Sequence, residues 1–122
     1  MKNNNKYLFN GSLYGKGPLA LKLISQYVSE HPDISYEALK EIFPDSLVPR
    51  FGAFQFEHVA RSISAKERYF FKEEQLIRLT NEKDPIVVCN QFTAANIMPL
   101  IKIAENLGYE IVVIENPAGS ES

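Results

Sequence analysis

The sequence predicts one small domain that mixes helix and strand, α+β or α/β, over residues 7–115 of 122. Three observations predict it. An Asn-Gly pair flanked by aromatic and aliphatic residues lies near the start, two amphipathic helical patterns follow, and a strand–helix–strand succession closes the chain. The expected architecture is an N-terminal β-hairpin and two-helix, winged-helix-like half packed with a C-terminal βαβ unit, on a mixed sheet. Residues 1–6 and 116–122 are small or polar and are expected to be flexible termini.

Tyr7-Leu8-Phe9-Asn10-Gly11-Ser12-Leu13-Tyr14 reads as the hairpin, because a type I′ turn needs positive φ at both central residues and Asn-Gly supplies it. Gly15-Lys16-Gly17-Pro18 then opens a helix, with Pro18 suited to the first helical position. Ala20, Leu23, Ile24, Tyr27 and Val28 recur at helical spacing, and the helix should end near Glu30, before Pro32. A second helix starts at the N-cap Ser35, with Glu37 in its first turn and Ile34 and Leu39 at hydrophobic-staple positions; Pro44 stops it.

The middle of the chain is less regular. Gly52 to Phe56 reads as a short strand, Glu57 to Ile63 as a helical turn or two, Tyr69 to Phe71 as a strand and Glu73 to Leu79 as a short helix. Ile86-Val87-Val88-Cys89 is a buried strand. Asn96 can cap a helix from about Ile97 to Leu107, with Pro99 in its first turn and Met98, Ile101, Ala104 and Leu107 spaced for burial. Gly108 fits the left-handed position that ends a helix, and Tyr109 to Ile114 forms the last strand. Strand, helix and strand in that order predict parallel pairing through a right-handed crossover.

Composition sets the class. Apolar residues are 45% and charged residues 23%, ordinary for a globular domain. No apolar run approaches a membrane span, and the first residues lack the apolar core of a signal peptide, so a cytoplasmic address is expected. The single cysteine, Cys89, excludes an intrachain disulfide and reads as a buried thiol. His31 and His58 stand in no Cys/His spacing that suits a metal, and no metal or cofactor is expected. No nucleophile elbow, zinc-protease or EF-hand pattern occurs, so nothing supports an enzyme, although none is excluded.

Charge is uneven. The net value is −2, yet residues 1–28 hold four lysines and no acid, and residues 49–80 hold six basic residues against four acids. The second helix offers Glu37 and Glu41, so it is not a DNA-reading element. The candidates for nucleic acid or another anion are Lys16, Gly17, Lys22, Arg50, Arg61, Lys66 and Arg68, interleaved with Tyr14, Phe51 and Tyr69. At Gly15-Lys16-Gly17 a helix N-terminus with free N–H groups is an anion site, while a tight turn with positive-φ glycine explains the same residues. The loop at the carboxyl end of the buried strand offers Asn90, Gln91, Thr93 and Asn96 to a small ligand; capping and turn formation explain the same residues and are the favoured account.

Tyr14-Gly15-Lys16-Gly17, Ile34-Ser35-Tyr36-Glu37-Ala38-Leu39 and Phe43-Pro44-Asp45, with Val88-Cys89-Asn90-Gln91-Phe92, Asn96-Ile97 and Leu107-Gly108-Tyr109-Glu110-Ile111, form a recognisable set. It resembles a small uncharacterised bacterial domain family found alone or attached to nucleic-acid-acting proteins. The resemblance spans Tyr7 to Ile114 and implies a nucleic-acid context without assigning any catalytic residue. The leading expectation is therefore a non-catalytic binding module for nucleic acid, a nucleic-acid-acting protein or another acidic protein partner. The alternatives are a protein-interaction or homo-oligomeric scaffold rich in aromatics, and a small-ligand binder or enzyme using loop 90–96.

Overall fold

The computed structural model describes residues 5–63 and 68–115. Strands β1 (Lys6–Phe9) and β2 (Ser12–Tyr14) form the hairpin, followed by helices α1 (Lys16–Glu30) and α2 (Tyr36–Ile42). A 3-10 turn at Asp45–Leu47 leads to β3 (Phe54–Phe56) and α3 (Glu57–Ser62). After a second 3-10 turn at Glu73–Gln75 come β4 (Ile86–Val88), α4 (Ala94–Asn106) and β5 (Val112–Ile114). The class is mixed α+β, with four helices and two antiparallel sheets among the described residues. Of the termini expected to be flexible, residues 1–4 and 116–122 lie outside the described residues. Lys6 belongs to β1, opposite Ile114.

Asn10 and Gly11 take φ of 52° and 82°, the left-handed pair that a type I′ hairpin demands. Tyr7 faces Tyr14 across it. Helix α1 starts two residues earlier than Pro18 predicts, at Lys16 with Gly15 as N-cap. Pro18 still falls among the orphan donors of the first turn, so its missing N–H costs nothing. Leu19, Ala20, Leu23, Ile24 and Val28 are its buried stripe. In α2 the Ser35 hydroxyl accepts the Ala38 N–H at 3.0 Å, as an N-cap should.

The strand–helix–strand succession at the end of the chain is present, but β4 and β5 do not pair with each other. β5 pairs antiparallel with β1, giving the order β2-β1-β5, whereas β4 pairs antiparallel with β3. The parallel pairing expected of a βαβ unit on one mixed sheet is thus replaced by two antiparallel sheets. The hairpin supplies β5 with an edge already twisted and apolar on its inner face, where Tyr7 is 1% exposed. The outer edge of β4 is covered by single bridges, Tyr69 to Cys89 and Ile77 to Ile86, not by the strand expected at 69–71. The Glu73–Gln75 turn loops between these bridges, in place of a helix reaching Leu79.

Helix α4 also begins earlier than its sequence suggests. Thr93, not Asn96, is the N-cap: Asn96 N–H donates to Thr93 Oγ1 at 3.3 Å and Thr93 N–H donates to Asn96 Oδ1 at 2.5 Å. This reciprocal box uses Asn96 where Glu or Gln is usual. Pro99 consequently lies inside the helix, and the buried face is Ile97, Leu100, Ile101 and Ala104, leaving Met98 52% exposed. The helix closes on Gly108 at φ 98°, with Gly108 N–H donating to Glu105 O and Tyr109 N–H to Ala104 O, a Schellman motif. One continuous core joins Tyr7 and Phe9, the α1 stripe, Leu39, Phe43, Phe54, all of β4 and the inner face of α4. Each such large apolar side chain contributes about 1.5–3 kcal/mol on burial.

Candidate nucleic-acid interface

The turn after the first 3-10 segment sets the site. Val48 O accepts the N–H groups of Phe51 and Gly52, and Gly52 reverses the chain at φ 76°. A Cβ on Gly52 would stand 2.6 Å from Asp45 Oδ1 and 2.7 Å from Gln55 Nε2, both already engaged, so the turn is built for glycine. Asp45 pairs with the half-buried Lys40, which also donates to Phe54 O; burial pulls the Lys40 pKa down and the Asp45 contact opposes it. The Phe51 carbonyl accepts Gln55 Nε2 at 2.9 Å and the Tyr69 hydroxyl at 2.8 Å. Tyr69 is buried, and burial pushes its pKa up to about 12, which keeps that hydroxyl a donor.

Around this anchor the aromatic rings form a strip. Phe51 stands edge-on to Tyr69 at 6.2 Å, and Tyr69 lies 5.9 Å from Phe71. The guanidinium carbons of Arg50 and Arg68 lie over the Phe51 ring at 5.5 and 5.9 Å, and that of Arg61 over Phe71 at 4.4 Å. Arg68 is held from the sheet, since its carbonyl accepts the Asn90 N–H at 2.8 Å. Arg50 and Arg68 are exposed and, among the described residues, take part in no ion pair. Arg61 donates twice to Glu57 Oε2, at 3.1 and 2.7 Å, so its charge is largely compensated. Folding therefore brings two guanidinium groups, eighteen positions apart and in no ion pair among the described residues, onto one ring. Ring contact orients the guanidinium planes, whose paired N–H donors suit an anion.

The other candidates sit elsewhere. Lys22 lines a cleft of about 250 Å³ with Tyr14, Pro18, Ser25 and Glu74, so a carboxylate shares its surroundings. Lys16 lies 6.0 Å from the centre of the Tyr7 ring. Lys66 lies outside the described residues. Neither Gly15 nor Gly17 has positive φ, contrary to the turn explanation. Gly17 is buried because the helix start packs closely: a Cβ there would meet Phe70 Cζ at 3.1 Å and Asn90 O at 3.5 Å. A ring and a carbonyl oxygen thus stand against the first turn of α1.

Asn90 borders a groove of about 470 Å³ with Tyr69, Phe70, Phe71, Lys72 and Gln75, continuous with the aromatic strip. Its side-chain oxygen accepts Gln91 Nε2 at 2.6 Å. Thr93 and Asn96 spend their side chains on the α4 capping box. Of the four loop residues, only Asn90 lines the groove. The candidates read from sequence leave out Phe70, Phe71 and Lys72; the run Phe70-Phe71-Lys72 beside Arg68 is the available signal, and its two rings read equally well as part of a strand from Tyr69 to Phe71. Cys89 is buried against Tyr69, and burial pushes its thiol up to about 11, an inert setting.

The two histidines serve local structure. His31 stacks on Tyr27 at 4.1 Å, and His58 Nδ1 lies 2.6 Å from Asp84 Oδ2. Among the described residues no cluster of three or more His, Cys, Asp or Glu is arranged to hold a metal, and no helix is long and apolar enough to cross a membrane. Comparison with protein-family models, with curated proteins and with solved structures gives no match.

Proposed function

We propose that this domain is a non-catalytic binding module for nucleic acid, acting in the cytoplasm, with Arg50 and Arg68 as its phosphate contacts. The observation that carries the reading is the convergence of these two arginines on Phe51 without a carboxylate partner among the described residues. Guanidinium groups bind phosphate oxygens through paired N–H donors, and counterion release makes the contact salt-dependent. The half-buried rings of Phe70 and Phe71 border the adjoining groove, where unstacked bases find aromatic partners. Lys72 lies along the same groove. Helix α2 plays no part, because it presents Glu37 and Glu41 to solvent while its one base, Lys40, turns inward to Asp45. The resemblance to domains attached to nucleic-acid-acting proteins points the same way.

The test is fluorescence anisotropy with labelled single-stranded DNA and RNA at low ionic strength. Binding is expected for the native chain, weakened at least about tenfold by Arg50→Glu or Arg68→Glu, in line with loss of a charge-assisted contact. Both residues are exposed, so folding should be unaffected. Absence of binding at low salt, or binding indifferent to both reversals, overturns the reading.

A further inference from the structure

We infer that the free edge of β5 is a self-association surface, pairing with β5 of a second copy of this chain. β5 gives one edge to β1, and among the described residues nothing pairs with the other. Its residues, Val112-Val113-Ile114, contain no proline and no lysine, and the nearest charges are Glu110 and Glu115 beyond its ends. Apolar surface lies open on both sides of that edge. On the outer face of the sheet, cross-strand register sets Leu13, Leu8 and Val112 in one row, with Leu13 54% and Val112 44% exposed. On the inner side a groove of about 560 Å³ runs between β5 and α4, bordered by Val113, Met98, Pro99 and Ile101, with Lys102 and Glu105 at its rim.

Charge on α4 selects the occupant. Lys102 and Glu105 are one turn apart, exposed, and in no ion pair among the described residues. A two-fold axis at the edge sets Lys102 of one copy toward Glu105 of the other, and the reverse, so the patch is complementary to itself. The same axis makes the two β5 strands antiparallel, the sense in which β5 already pairs with β1, and yields a continuous sheet β2-β1-β5-β5-β1-β2. Backbone hydrogen bonds then complete the open edge, while Met98 and Val112 lose their contact with water.

Sedimentation velocity without nucleic acid tests this independently of Arg50 and Arg68. The native chain should show a reversible monomer–dimer equilibrium. Val112→Lys places a charge on the edge, and Lys102→Glu opposes like charges across the axis; each should weaken association at least roughly tenfold. Adding Glu105→Lys to Lys102→Glu should restore the dimer, which a merely destabilised monomer would not do. Circular dichroism of each variant controls for folding, and the charge-swap pair decides if Val112→Lys fails to fold. A native chain that stays monomeric at high concentration overturns the inference. So does a dimer untouched by Val112→Lys, or one that the swap fails to restore.

Discussion

Cys89, Tyr36 and Tyr69 show what burial does to single groups. Burial pushes the Cys89 thiol from 9.0 up to about 11, and Tyr36 and Tyr69 from 10.0 up to about 12. In each the protonated form is favoured by the folded chain. Their contribution is therefore complete below pH 9 and is lost as pH rises toward 12, because the unfolded chain releases these protons first. Urea midpoints should fall steadily over that window, and tyrosinate absorbance should show a late phase absent in denaturant. An unchanged midpoint to pH 11 would contradict the burial assigned to them. Burial of Cys89 was legible in the apolar run around it. The convergence of Arg50 and Arg68 was not, because it needs the Gly52 turn and the Asn90–Arg68 hydrogen bond, neither of which has a local signature.

At the scale of elements, the turn chemistry was the most readable part. Asn10-Gly11 and Gly108 take the left-handed conformations that their residue types favour, and Ser35 caps α2. The start of α4 was misplaced because two cap residues three positions apart act as one device. Thr93 is the poorer-looking cap by type alone, yet it receives Asn96 N–H and returns its own N–H to the Asn96 side chain. Moving the start by three residues put Pro99 inside the helix; the face packed on the core is Ile97, Leu100, Ile101 and Ala104, and Met98, spaced for burial in the sequence, faces solvent. Thr93→Ala and Asn96→Ala should each cost about 1 kcal/mol, the usual worth of a cap. Because both side chains belong to one reciprocal box, the double variant should cost less than the sum, which chemical denaturation of the four proteins measures.

For the whole molecule, strand pairing and surface charge both depend on contacts distant in sequence. The order of strands and helices was visible in the chain, but nothing local says that Val112 will lie opposite Leu8, or Val88 opposite Phe54. The same non-local folding sorts the cations. Arg50 and Arg68 end together, with no ion pair among the described residues, Arg61 ends on Glu57, and Lys22 ends in a cleft shared with Glu74. These placements predict different salt behaviour for charges that the sequence ranked alike. Each phosphate contact adds roughly 0.7–0.9 to the slope of log affinity against log salt concentration. Arg50→Gln and Arg68→Gln should each lower that slope by about one contact, whereas Lys22→Gln should leave it unchanged. Arg61→Gln should lie between, since phosphate must first displace Glu57 from its two hydrogen bonds. Equal loss of slope for all four would mean that the net basic character of the surface, and not the corner around Phe51, does the binding.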